Sequence, residues 1–196
     1  MSKIVFINGI GNVKTEATNF DYLAKELGVE NKTLCWQQVS NKENNRISEF
    51  AVSKNNRIRK IITKFAGDFI ADAIFYFRYR GLILDAIERQ MPDDCETIVA
   101  HSLGTIIAWD YLTFRATRKF NVVLLSSVVP FYWRGTHHNM DTTKKVISLY
   151  NVIDLIAHKM NLKGVEDKHV NFFSLWTHSS YLKSKKVAKI IQEFLK

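Results

Sequence analysis

A chain of 196 residues, 46% hydrophobic and 24% charged, has the length of one domain and an ordinary globular composition, which excludes a largely disordered protein. No apolar run reaches the roughly 18 residues of a membrane span, and Ile4 to Ile7 is too short for a secretory leader, so the expectation is a soluble, cytoplasmic protein without a transmembrane segment. The formal net charge of +9 is spread over separate clusters: Lys54 to Lys64, Arg78 with Arg80, Arg115 to Lys119, and Lys183 to Lys189. These read as solvated helix faces or as a field that steers the chain to an anionic substrate or surface. No nucleic-acid motif interleaves basic and aromatic residues, which ranks nucleic acid below these partners. Cys35 and Cys95 have no CxxC spacing and read as buried thiols.

In chain order, apolar runs of strand length occupy Lys3 to Ile7, Lys32 to Trp36, Thr97 to His101, Asn121 to Ser126, Lys145 to Tyr150 and Val170 to Leu175. Helical periods fill Ala17 to Leu27, Ile58 to Arg89, Leu103 to Phe114 and Tyr181 to Leu195. Strands alternating with helices predict crossover units. The expected architecture is therefore a three-layer α/β sandwich, one domain over 1–196, with a six-stranded, mainly parallel sheet. Gln37 to Asn56 is polar and aperiodic, and the stripe after it, from Ile58 to Phe77 with Gly67 as a break, is core or a membrane-facing helix. Residues 37–66 are the candidate lid or surface insertion.

Chemistry concentrates at Ala100-His101-Ser102-Leu103-Gly104, between an apolar strand and a helical stripe. A serine on a sharp strand-to-helix turn needs small residues two before and two after it, and Ala100 and Gly104 meet that need. The bland alternative is a serine that caps a helix. At such a turn the Leu103 N–H and the helix dipole face a developing oxyanion. The first strand runs into Asn8-Gly9-Ile10-Gly11, and the Ile10 N–H is the second candidate donor. Gly9, Gly11 and Lys14 do not complete a dinucleotide or P-loop spacing.

Together, Ile-Asn-Gly-Ile-Gly and Ala-His-Ser-Leu-Gly resemble the glycine loop and nucleophile elbow of lipases and esterases in the α/β-hydrolase superfamily, in a compact form without the two leading strands. Asn8 stands where that family usually has histidine. The resemblance implies a sheet ordered 2-1-3-4-5-6, with the elbow strand beside the strand that carries the glycine turn, and a chain order of Ser, then Asp after the strand following the next one, then His after the last strand. Ser102, Asp154 and His178 fill those positions as nucleophile, orienting acid and general base. Asp141 and Asp167 are alternative acids in polar loops without a strand just before them. The other histidines, His101, His137, His138, His158 and His169, are misplaced for the base.

Asn8, Gly9, His101, Phe131 and Trp133 are candidate substrate-binding residues, with aromatic packing an equal reading for Phe131 and Trp133. Adjacent His137 and His138 with Asp141 make a poor metal set, and neither metal nor cofactor is implied. The expected function is cleavage of a small-molecule or lipid ester, or a thioester, through an acyl-enzyme. The alternative is a catalytically idle domain of this type that binds a protein, an anionic membrane surface or nucleic acid.

Overall fold

The computed structural model describes residues 3–9, 18–36, 57–132, 140–154, 159–171 and 177–196. The elements are β1 (Lys3–Ile7), α1 (Asp21–Leu27), α2 (Arg57–Gln90), β2 (Cys95–His101), α3 (Leu103–Phe114), β3 (Phe120–Leu125), α4 (Val129–Tyr132), β4 (Thr143–Tyr150), β5 (Val165–His169), α5 (Thr177–Ser180) and α6 (Lys185–Phe194). The five strands form one sheet in chain order, β1 to β5, and every pair is parallel. Ile7 pairs with Ala100, His101 with Leu125, Leu125 with Leu149 and Tyr150 with His169, so all five carboxyl ends meet along one edge.

Period-two alternation separates the side chains of the inner strands into two cores. Val5, Ile7, Ile98, Ala100, Val122, Leu124 and Val146 pack with Ile83 and Ile87 of α2 and with Ile107 of α3. Ile4, Phe6, Val99, Val123, Leu125, Ile147 and Leu149 pack with Leu23 of α1 and with Val187 and Ile191 of α6. Burial on both faces explains why these strands are nearly continuous apolar runs. The result is helix, sheet and helix in three layers.

The sheet differs from expectation at both edges. Among the described residues it has five strands, not six, because Lys32 to Trp36 makes only one parallel bridge, between Thr33 and Phe6. The ladder ends there because the Cys35 N–H donates to the Gln90 side chain at 3.0 Å instead of extending along β1. That segment nevertheless lies beside β1, where the second strand was expected. At the other edge the strand is Val165–His169, ahead of the predicted Val170 to Leu175, of which 172–175 lie outside the described residues. Its sequence is polar and its side chains are only partly buried, as an edge strand permits, so a search for apolar runs passes over it.

Of the candidate lid, 37–56 lie outside the described residues, while 57–66 are backbone of α2 rather than loop. That helix runs through Gly67 and breaks instead at Tyr79 (φ −115°, ψ 21°). Tertiary ties set the bend. Just beyond it, Arg80 reaches the fully buried Asp110 of α3 at 2.7 Å and lies over the Phe114 ring at 4.3 Å. The Tyr76 hydroxyl, one turn before, also donates to Asp110. Burial, reinforced by the Asp110 charge, pushes the Tyr76 phenol far above its usual range, so it remains a donor.

No described helix is long and apolar enough to cross a membrane. On α6, Lys185, Lys186 and Lys189 are exposed opposite buried Val187, Ala188, Ile190 and Ile191, which is a solvated amphipathic face. Removing the buried Asp110 carboxylate leaves Arg80 and Tyr76 without it. Asp110→Ala should therefore lower the urea unfolding free energy by about 3 kcal/mol, whereas Lys189→Ala should change it by less than about 0.5 kcal/mol.

Candidate active site

One residue, Ser102, separates the end of β2 from the start of α3, and it turns the chain with φ 56° and ψ −129°. A positive φ on a side chain-bearing residue costs on the order of 1–3 kcal/mol and persists only where surrounding bonds enforce it. Here the Ser102 N–H donates to the Leu125 carbonyl at 3.1 Å, and its own carbonyl accepts from the Thr105 N–H at 2.9 Å and the Thr105 hydroxyl at 2.6 Å. The turn also lies backbone to backbone against the end of β1. A Cβ on Gly9 would come within 2.3 Å of the Leu103 nitrogen, and one on Gly104 within 2.3 Å of the Ile7 carbonyl oxygen. Both positions therefore require glycine. As the first residue of α3, Leu103 has no acceptor for its N–H within the helix.

His178 lies on the short helix α5, with Nε2 2.8 Å from Ser102 Oγ. On its other side Nδ1 is 3.1 Å from Asp154 Oδ2 and 3.2 Å from Oδ1. Asp154 is 3% exposed and follows β4 in a turn, where its N–H donates to the Asn151 carbonyl at 3.1 Å and the Ile153 N–H donates to Asn151 Oδ1 at 2.9 Å. The three residues predicted as a unit thus converge at the carboxyl edge of the sheet in a Ser, His, Asp sequence of hydrogen bonds. With the Ser102 hydroxyl donating to Nε2, the network assigns the imidazole proton to Nδ1.

The competing acids are elsewhere. Asp141 is exposed, and the Asp167 carboxylate accepts the Met160 and Asn161 N–H groups at 2.9 Å each. His169 is exposed on the edge strand, with its ring against Tyr150. His137, His138 and His158 lie outside the described residues, as do Ile10 and Trp133, and the Phe131 side chain is likewise not described.

A fourth group joins the site without having been singled out. Ser126, fully buried just past the end of β3, donates its hydroxyl to Asp154 Oδ2 at 2.6 Å, and its oxygen is 2.7 Å from His178 Nδ1. It too has a positive φ, 52°. The available signal was topological: β3 lies between the strands that deliver Ser102 and Asp154, so its end falls between them.

Three residues expected to touch substrate are turned toward the protein. Gly9 packs on the Ser102 turn. Asn8 is buried, and its carbonyl accepts the Trp36 indole N–H at 2.7 Å. His101 donates from Nε2 to the His178 carbonyl at 2.7 Å, while its Nδ1 faces the Asn8 side chain at 3.5 Å. Burial, with the neighbouring His178 acting the same way, pulls the His101 pKa from the usual 6.5 down to about 3. The ring therefore stays neutral, and in that form it fixes the backbone carrying His178. Burial first, then the Asp154 charge, also pushes the Tyr181 phenol well above its ordinary range, so Asp154 has no anionic tyrosine beside it. Among the described residues, no group of three His, Cys, Asp or Glu is arranged to hold a metal ion.

The depressed His101 pKa fixes a pH dependence of stability. Above pH 6.5 the residue is neutral in both folded and unfolded chains, but between 6.5 and about 3 the unfolded chain binds a proton that the folded one refuses. Stability should fall with acidification by up to about 1.4 kcal/mol per pH unit from this residue alone. Urea titrations from pH 6.5 to pH 4 should show a slope shallower by about that amount in His101→Gln, which retains an N–H donor but no titratable ring. Scanned against protein-family models and searched against curated proteins, the chain matches none, so the reading of this site rests on its own residues and geometry.

Proposed function

We propose that this protein is a serine hydrolase of the α/β-hydrolase type, with Ser102 as nucleophile, His178 as general base and Asp154 as the acid that orients the base. The observation that carries the reading is the continuous contact from Ser102 Oγ to His178 Nε2 at 2.8 Å and from Nδ1 to Asp154 at 3.1 Å, on a strained turn between strand and helix. A serine that merely caps a helix would accept from the backbone of the first turn, and Ser102 makes no such side-chain bond. The all-parallel sheet flanked by helices and the close approach at Gly9 and Gly104 support the same family.

In this reading, the Ser102 hydroxyl proton passes to His178 Nε2 as Oγ attacks an ester or thioester carbonyl. The oxyanion takes hydrogen bonds from the Leu103 N–H and from the Ile10 N–H, the latter outside the described residues. Protonated His178 then gives its proton to the leaving alcohol or thiol. A water, deprotonated by His178, splits the acyl-enzyme and releases the acid. Asp154 retains its negative charge throughout, holding Nδ1–H and offsetting the transient imidazolium. The substrate is a small-molecule or lipid ester, with encounter from an anionic surface assisted by the exposed lysines of α6. The buried thiols Cys35 and Cys95 fit a cytoplasmic location.

A fluorophosphonate probe should label the wild-type protein at Ser102. Ser102→Ala should abolish labelling and His178→Ala should nearly do so. Asp154→Asn should slow it by as much as about ten-thousandfold, because the amide favours the wrong imidazole tautomer. The losses should not add in double variants. A folded wild type that resists the probe would instead favour a binding module.

A further inference from the structure

Ser126 is a buried hydroxyl placed between two groups that already face each other, and neither helix capping nor strand pairing explains it. Its backbone N–H is committed to the Leu149 carbonyl at 3.0 Å, so the hydroxyl has no role in the sheet. Its φ of 52° carries a conformational cost for a residue with a side chain, and glycine would occupy this position without it. The positive φ sets where the hydroxyl falls: 2.6 Å from Asp154 Oδ2 and 2.7 Å from His178 Nδ1, both shorter than the 3.1 Å between Nδ1 and Oδ2 themselves.

We propose that Ser126 is a positioning residue of the hydrolytic site, whose hydroxyl accepts the His178 Nδ1–H and donates to Asp154, so that carboxylate and imidazole are held through a shared oxygen as well as by direct contact. This rests on the reading of Ser102, His178 and Asp154 as a hydrolytic unit and goes beyond it. The donor assignment is forced by chemistry. The carboxylate can only accept, so the Ser126 O–H points to Asp154, which leaves an oxygen lone pair for the nearer ring nitrogen. When Nε2 takes the Ser102 proton, the charge on the ring draws both acceptors closer, and the hydroxyl transmits the carboxylate charge without changing its own protonation. A charge-assisted hydrogen bond of this kind is strongest after proton transfer, so its loss falls on turnover more than on substrate binding.

The test uses Ser126→Gly, which removes the hydroxyl while suiting the native φ, and Ser126→Ala, which removes it at that φ with the Cβ retained. With p-nitrophenyl butyrate, both should lower kcat by about tenfold to a hundredfold and leave KM within about twofold. Fluorophosphonate labelling should slow in parallel and remain on Ser102 by peptide mass spectrometry. In ¹⁵N-histidine-labelled protein, a downfield imidazole N–H resonance, absent from His178→Ala, should shift upfield in both Ser126 variants. Full kcat in a folded Ser126 variant, or an N–H resonance that does not move, overturns the proposal. Absence of labelling in wild type, or its persistence in Ser102→Ala, overturns the hydrolase reading instead. The resonance would still report whether the Ser126 hydroxyl holds the ring.

Discussion

The backbone after β1 and the backbone of the Ser102 turn approach so closely that a Cβ on Gly9 would reach the Leu103 nitrogen and one on Gly104 the Ile7 carbonyl. This contact between two peptide segments, with no side chain between them, fixes the height and tilt of α3 against the sheet. It also fixes where the Leu103 N–H faces, because Gly9 packs against the first turn of α3. Side chains at either position would separate the segments and relax the φ of Ser102. The strained turn is thus a consequence of how β1 and α3 pack, with their core residues Val5, Ile7 and Ile107 buried on the same face of the sheet.

Around that contact, the polar groups of the site form one connected, buried set. Burying an ionised carboxylate without partners costs several kcal/mol, so Asp154 requires the donors it has: the Ser126 hydroxyl and the His178 ring. His101 and Tyr181, the other titratable groups pressed against this set, are both driven by burial to their neutral forms. The charge of Asp154 is consequently not neutralised by a permanent cation at His101, which leaves it directed at His178, the group whose charge changes in the proposed reaction. His101 contributes through its remaining proton, which holds the His178 carbonyl at 2.7 Å. The side chain of a strand's last residue points according to the pleat, which at His101 directs it at α5.

The inner sheet was legible because both its faces are buried, and Ile98-Val99-Ala100 or Val122-Val123-Leu124-Leu125 admit no other economical reading. Strand order followed from placing Ser102 and the glycine turn on neighbours, and the Phe6 to Thr33 bridge puts the next segment on the expected side of β1. Asp154 and His178 were legible because each follows a strand region in the right order, although the described strand before His178 is Val165–His169, and 172–175 of the predicted Val170 to Leu175 lie outside the described residues. Val165–His169 was not legible because Glu166, Asp167 and Lys168 on a half-exposed edge carry no hydrophobic signal. Ser126 was visible only as the end of a strand. Its part in the site depends on a positive φ and on the lateral order of three strands, and neither is encoded in local periodicity.

Ser102 and Ser126 show how the sheet itself builds the site. Each stands one residue beyond its strand, and each sends its N–H to a carbonyl at the end of the next strand, Ser102 to Leu125, the last residue of β3, and Ser126 to Leu149, the last but one of β4. The parallel ladder therefore continues one step past β2 and β3 while φ reverses sign, to 56° and 52°. Continuing the hydrogen bonding holds the nitrogen in register. Reversing φ releases the side chain from the alternation that would otherwise bury it among the apolar residues of one core. The two hydroxyls so displaced reach opposite nitrogens of one imidazole, Nε2 at 2.8 Å and Nδ1 at 2.7 Å. Since adjacent parallel strands lie about 4.8 Å apart, hydroxyls carried at neighbouring strand ends are close enough for one ring to bond both. The geometry of the site is in this way a property of strand spacing and register, and α5 has only to bring His178 down to an edge already prepared for it.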